Sequence, residues 1–467
     1  MQKLILACVA GVLVVAVGGY FAFQTYRHTF SVTVSCLQDK DIMRKIDGCT
    51  QIIDAAESSK RSFITIQSLS LPAAYLNRGY AYIKISKHDE ARKDLNKAIE
   101  LQPTLAMAYN NLGWLDMVAG NLESANKNLK QAINIDKTLG FAWNNLCDLQ
   151  ESIGNHTEAV RICSHAIELS PKHTDNFIYR SDAYLSLAES TQTTQNDSAQ
   201  RQNYKNALSD IDVAISLSPA EAHGHNERCR VLIAKLDYAG AIASCETAIK
   251  LKPDFAAPYA NRGLASLRQG DASLALADFD KAIQLDPKLL QVYGLRAEAF
   301  EMAGDVDKAL KASQDTIAQF PDEASAFSDR AIINFTIGNF HAAAEDFSTA
   351  LNRNDFVYSK LWRYLSLARA GEDGMSKLTQ DADSVKDKSW PYPVLEFYLG
   401  RRDSNAMMAA AENDNQRCEA TFYQGEWLVL QHNVGDATAL LKKTIDTCPK
   451  TFVEYRLAQA ELKRLAR

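Results

Sequence analysis

The sequence predicts an all-α protein, a solenoid of antiparallel helix pairs preceded by one membrane-spanning helix. Three observations carry that expectation: a unit recurring every 34 residues, only 11 prolines and 21 glycines in 467 residues, and an uncharged run from Leu4 to Phe23. Few helix breakers make long helices the default. With 46% hydrophobic and 23% charged residues, the composition is that of a folded chain rather than a disordered one. A formal charge of -6 leaves no basic surplus to neutralise a phosphate backbone, so no nucleic acid is expected as a partner.

Residues 1–29 form the expected membrane anchor. The run LILACVAGVLVVAVGGYFAF, residues 4–23, would span about 30 Å of hydrocarbon as a helix. A cleaved secretory signal has a shorter apolar stretch of ~7–15 residues and a small-x-small site, whereas this run ends in Tyr20, Phe21 and Phe23. An uncleaved signal-anchor is the reading preferred over a lipoprotein signal at Cys8, because only seven residues precede that cysteine. Lys3 on one side and Arg27 on the other leave orientation undecided by charge.

A helical hairpin is expected over 30–72, and eight repeats over 73–353. Gly79, Gly113, Cys147 and Ser181 stand 34 residues apart, and the period resumes at Cys229, Gly263, Ala297 and Ala331. Alanines follow at Ala91, Ala125 and Ala159 and again at Ala98, Ala132 and Ala166, with closing prolines at Pro103, Pro171, Pro219, Pro253, Pro287 and Pro321. Small side chains at these offsets let two antiparallel helices approach, and the next unit covers what remains exposed. The pattern, as in AYLNRGYAYIKISKHDEARKDLNKAIELQP from Ala73, resembles the tetratricopeptide repeat (TPR). That resemblance implies a right-handed superhelical TPR α-solenoid, with a concave groove lined by the first helix of each pair.

Arginine precedes the small residue in six of the eight repeats, at Arg78, Arg180, Arg228, Arg262, Arg296 and Arg330. Aspartates at Asp94, Asp210, Asp278 and Asp346 occupy the matching place on the second helix, and the repeats with Leu112 and Leu146 carry Asn128 and Ile162 instead. The covariation predicts an ion pair inside each hairpin that has both residues. Repeat four carries 14 additional residues, with the polar stretch ESTQTTQNDSAQRQ at 189–202, read as longer helices or a projecting surface loop.

The period decays over 354–467 and returns in ATFYQGEWLVLQHNVGDATALLKKTIDTCP, from Ala420 to Pro449. EFYLG at 396–400, FYQGEWLVLQ at 422–431 and FVEYRLAQAEL at 452–462 resemble the C-terminal region of the NlpI family of bacterial envelope lipoproteins. This implies an adaptor at the envelope side of a bacterial membrane, gathering cell-wall or proteolytic enzymes.

Eight cysteines lie beyond the hydrophobic run. With the small residue counted as repeat position 8, Cys147 and Cys163 fall at 8 and 24, Cys229 and Cys245 again at 8 and 24, and Cys418 and Cys448 at 1 and 31. Each pair sums to 32, which sets its members level across an antiparallel hairpin turning near position 16. Cys36 and Cys49 flank a short polar turn. Four disulfides are therefore expected, in preference to cysteine used merely as a small apolar residue. They imply an oxidising compartment, with the bulk of the chain in the periplasm and the anchor in the inner membrane.

No catalytic motif is present, so the chain is not expected to be an enzyme. His223 and His225 beside Glu227 and Cys229 lie at a helix start and are not expected to bind metal, nor is any cofactor expected. Binding of protein or peptide partners is the expected activity. The groove positions are Leu76, Tyr80, Ile83 and Lys84 in repeat one, Asn110, Trp114 and Met117 in repeat two, and Asn144, Asp148 and Glu151 in repeat three. Tyr80, Trp114 and Met117 would anchor a peptide if exposed, or would pack between repeats. Two alternatives stand beside the periplasmic scaffold: a cytosol-facing membrane receptor for chaperones or imported proteins, and an enzyme subunit of envelope carbohydrate metabolism using 354–415.

Overall fold

The computed structural model describes residues 32, 34–58, 71–190 and 197–466. The expected membrane run at 4–23 lies outside these residues. Among the described residues every regular element is a helix, and no helix is long and apolar enough to cross a membrane. The chain divides into two compact units, Met1–Ala183 and Tyr184–Arg467.

In the first unit the helix Ile42–Ser58 leads into three regular pairs: Leu71–Lys84 with His88–Leu101, Ala106–Val118 with Leu122–Ile135, and Gly140–Ser152 with His156–Leu169. The close approach of each pair follows from the small residues. A Cβ added at Gly79 would lie 3.0 Å from Leu95 Cγ, and one at Gly113 only 2.6 Å from Leu129 Cγ. Ala91, Ala98, Ala125, Ala132, Ala159 and Ala166 are fully buried opposite.

Seven residues past the small position of each repeat except the fourth, the backbone turns left-handed. Gly120 and Gly154 (φ 75° and 79°) adopt that conformation without cost, and Ser86 (φ 57°) adopts it as an L-residue. The turn repeats in the second unit at Gly270, Gly304 and Gly338, and at Leu236 and His432.

The insertion in repeat four lengthens helices. Thr174–Ser190 and Asp197–Leu217 have 17 and 21 residues, against 13 or 14 for the helices of repeats one to three, and 191–196 lies outside the described residues.

The second unit continues with four regular pairs, Ala222–Ala234 with Tyr238–Leu251, Ala256–Gln269 with Ala272–Leu285, Leu290–Met302 with Val306–Gln319, and Ala324–Ile337 with Phe340–Leu351. Asp237, Asp271 and Asp305 cap the second helices of three of them by accepting from the backbone N–H groups of Gly240, Leu274 and Lys308. Beyond them, helices Val357–Arg369 to Val453–Leu465 enclose an aromatic core containing Trp362, Tyr364, Phe397, Tyr398, Phe422 and Tyr423. The C-terminal helix Val453–Leu465 packs against Ala324–Ile337, so the segment with decayed periodicity closes over repeat eight.

Candidate functional site

Three of the expected Arg-Asp pairs form inside their own hairpins: Arg78–Asp94 and Arg262–Asp278 at 2.7 Å, and Arg330–Asp346 at 2.6 Å. Each is bidentate, and the carboxylate holds the guanidinium firmly charged. The fourth expected pair, Arg180 with Asp210, has its members in different units. Within the first, Arg180 Nη1 donates to Ser164 Oγ at 3.0 Å.

Ser164 reveals a second contact that the within-repeat covariation missed. It lies 16 residues before the arginine, on the second helix of the preceding repeat. The same step brings Arg228 to Asp212 at 2.9 Å, Arg296 to Asp280 at 3.1 Å, and Arg330 to Gln314. Arginines whose own repeat lacks the aspartate thus still pair, with the repeat before. In repeat two, where Leu112 replaces arginine, the buried Asp116 takes over: Asn128 donates to it at 2.8 Å, and Arg92 of repeat one supplies the cation at 2.6 Å. These pairs hold hairpins and stack repeats, and none points toward catalysis.

The groove positions of repeats one to three divide into exposed and packed residues. Tyr80 is 42% exposed and Lys84 lies 5.2 Å from its ring. Leu76 and Ile83 pack on the core of the first hairpin. The possibility that Trp114 and Met117 would be free anchors gives way to packing. Trp114 is half-buried against that same core with its edge to His88, and Met117 packs into the core of repeats two and three.

Asn110 and Asn144 are corrected as well: both are buried and occupied. Asn145 donates to Asn110 at 2.9 Å and Asn144 to Asn176 at 2.8 Å, so these amides tie one repeat to the next. Asn261 donates to Asn226 at 2.9 Å in the same way. Asp148 and Glu151 remain half-buried; burial raises the Asp148 pKa, and Glu151 raises it further. Glu151 also contacts His156 at 2.8 Å.

Two concavities of the second unit lie at the same repeat positions. Counting as before, repeats seven and eight place Gly294, Glu298 and Glu301, then Ser328, Ile332 and Phe335, on the groove face. A cavity of roughly 490 Å³ opens there, lined by Gly294, Glu298, Glu301, Asp329 and Ile332 and closed by Val453 and Arg456 of the C-terminal helix. Arg456 reaches Glu301 at 2.9 Å, and Arg268 reaches Glu298 at 2.6 Å. An adjoining cavity of roughly 580 Å³ shares Ser325, Asp329, Ile332 and Val453 and adds Tyr358, Trp362, Glu419 and Glu454. Gly294, Glu298, Glu301, Ser328 and Ile332 were legible by extending the groove count past repeat three; Asp329, the lining residues beyond 353 and the role of the C-terminal helix were not.

Two carboxylates of the second cavity, Glu419 and Glu454, are held in place. Tyr358 and Trp390 donate to Glu419 at 2.8 Å, and Tyr423 donates to Glu454 at 3.2 Å. Burial, reinforced by Glu419, pushes the Glu454 pKa up to about 7. Between the ordinary glutamate value near 4.3 and that value, the folded state holds a proton the unfolded chain has lost. Stability should therefore fall as pH rises through this window. The urea midpoint is expected to be lower at pH 8 than at pH 5, with Glu454→Gln reducing the difference. An unchanged difference in that variant would show that Glu454 is not its source.

All four cysteine pairs stand at bonding distance. Cα separations are 4.6 Å for Cys36–Cys49, 5.3 Å for Cys147–Cys163, 5.5 Å for Cys229–Cys245 and 5.1 Å for Cys418–Cys448. Among the described residues no group of three or more His, Cys, Asp or Glu is placed to hold a metal ion. His223 lies 3.9 Å from Glu227, and His225 is hydrogen-bonded at 3.3 Å to the carbonyl of Pro219.

Comparison with known proteins finds the repeats directly. Family models described as tetratricopeptide repeat match residues 72–105, 142–173, 227–289 and 295–356. Among solved structures, a thermophilic TPR protein of Thermus thermophilus is 22% identical, with 42% of this chain and 98% of that one covered and a TM-score of 0.39. A tetratricopeptide repeat protein of Parabacteroides merdae is 18% identical over 56% of this chain and 98% of its own, with a TM-score of 0.44. Yeast Tom70 is 13% identical over 94% and 96%, with a TM-score of 0.43. On the family-model matches, the helix pairs of this chain include tetratricopeptide repeats in both compact units.

Proposed function

We propose that this protein is a scaffold that binds protein or peptide partners on the groove face of its repeats, tethered to a membrane by residues 4–23 and facing the periplasm. The observation that carries the compartment is the pairing of eight cysteines at bonding distance within four hairpins, because such bonds persist in oxidising spaces. The binding reading rests on the open cavities at repeats seven and eight and on exposed Tyr80 in repeat one. The resemblance of 396–462 to the NlpI family supports a role in gathering cell-wall or proteolytic enzymes. No catalytic role is assigned, since Glu419 and Glu454 are engaged by Tyr358, Trp390 and Tyr423.

The test is thiol trapping in the native host. Alkylation of intact cells before lysis, followed by mass mapping without reduction, should find the eight cysteines past residue 30 linked as four pairs. Free thiols would sink the periplasmic orientation and favour the cytosol-facing receptor. Affinity capture on the full chain in detergent, at moderate salt, should retain envelope proteins under the same reading.

A further inference from the structure

We propose that the cavity between repeats seven and eight seats a guanidinium or ammonium group, carried by an arginine or lysine side chain of a bound protein, against Asp329. The proposal rests on the binding role above and names the chemistry one part of the groove recognises. Its starting point is a break in the amide ladder. Asn145 and Asn261 stand two residues before the small position and each donates to an asparagine of the preceding repeat, Asn110 and Asn226. Repeat eight has Asp329 at that place, and repeat seven offers Gly294 where the acceptor amide would be. Both partners of the ladder have changed together.

A donor has become an acceptor, and the side chain facing it has been removed. Asp329 accepts no hydrogen bond among the described residues, while a Cβ at Gly294 would lie 2.6 Å from its Oδ2. The residue is exposed to solvent through the cavity, and the desolvating protein around its carboxylate pushes its pKa up to about 6, with Arg456 opposing the rise and Glu298 adding to it. Asp329 is exposed to the cavity and takes no donor from the described residues, so its carboxylate is open to a ligand's N–H.

The cavity already shows which donors its walls take. Glu301 holds the guanidinium of Arg456, Glu298 that of Arg268, and Arg456 Nε is buried without a hydrogen-bond partner. Three carboxylates thus face two cations, leaving one negative charge at Asp329. At roughly 490 Å³ the space matches pockets that enclose small ligands, which run about 300–1,000 Å³. Apolar walls from Leu290, Leu295, Ile332 and Val453 suit the methylene stem of a long cationic side chain. Repeat three repeats the acidic choice, with Asp148 and Glu151 at the positions of Glu298 and Glu301.

The experiment titrates the full chain in detergent with two fluorescent pentapeptides, Ala-Ala-Arg-Ala-Ala and its Gln counterpart, and uses agmatine as a competitor. Saturable binding of the Arg peptide, at least about tenfold tighter than the Gln peptide, is expected. Asp329→Asn should erase that preference without lowering the urea midpoint, since the residue is exposed and its carboxylate holds no hydrogen-bond partner among the described residues. Gly294→Ala, which crowds the carboxylate from the other side, should weaken the Arg peptide by a similar factor and serves if Asp329→Asn folds poorly. Agmatine competing at the peptide's own concentration would support the cation site and assign it to a free small cation. Equal binding of both peptides, or an unchanged preference in both variants, overturns the proposal. Envelope partners still captured by a chain that ignores the Arg peptide would remove this inference and leave the scaffold reading standing.

Discussion

Arg369→Ala is expected to destabilise the second unit by about 3–5 kcal/mol, the largest single-residue effect anticipated here, because it strands buried charge. The Arg369 guanidinium lies 3.0 Å from Glu426 and 2.6 Å from Glu461, whose side chains are 0% and 1% exposed. Arg464 completes the group at 2.8 Å from Glu461, and both arginines lie over the ring of Phe340. Burial, and then repulsion from Glu461, push the Glu426 pKa up to about 7 while the arginines oppose the rise. Deleting Arg369 leaves two carboxylates to one partly exposed cation.

Urea unfolding of the variant at pH 8 should show the full loss, and at pH 5 a smaller one, since protonated Glu426 tolerates burial better. The double variant Arg369→Met, Glu426→Met removes a charge from each side and should recover most of the stability, as apolar replacements of buried pairs commonly do. A loss below about 1 kcal/mol, the range of exposed pairs, would show that solvent reaches the cluster.

Cys418→Ala with Cys448→Ala is expected to cost about 3–4 kcal/mol, the chain-entropy value for a loop of 30 residues. Both cysteines are buried, at 2% and 7% exposure, so alanine fills the positions without burying a polar group. The bond ties the start of helix Asp414–Leu430 to the end of Val434–Thr447. Under non-oxidising conditions wild type should fall toward the variant, and the variant should respond less to reductant. A wild-type midpoint indifferent to reductant would show that these thiols stand close without being bonded. The same treatment in the shorter loops, of 13 and 16 residues, should cost about 3 kcal/mol each.

The sequence by itself determined the repeat, its hairpins and its cysteine pairing. Helix pairs with a fixed turn place residues of fixed position sum level with each other, so Cys147 with Cys163 could be found by counting, and Arg262 with Asp278 by their covariation across repeats. Those contacts are local, and local contacts follow from phase.

Tertiary structure decided contacts between repeats and contacts made by the aperiodic C-terminal segment. Asn110 and Asn144 share the groove count with exposed Tyr80, but stacking of the neighbouring repeat turns them into a buried amide ladder. Arg296, with no aspartate of its own, finds Asp280 in the repeat before. The cavity at Asp329 exists because Val453–Leu465 folds back over repeats seven and eight, bringing Arg456 to Glu301 across 155 residues of chain. Periodicity cannot encode that approach. The segment that makes it has left the period, and its position is set by the aromatic core around Trp362 and by the buried charges of Arg369 and Arg464.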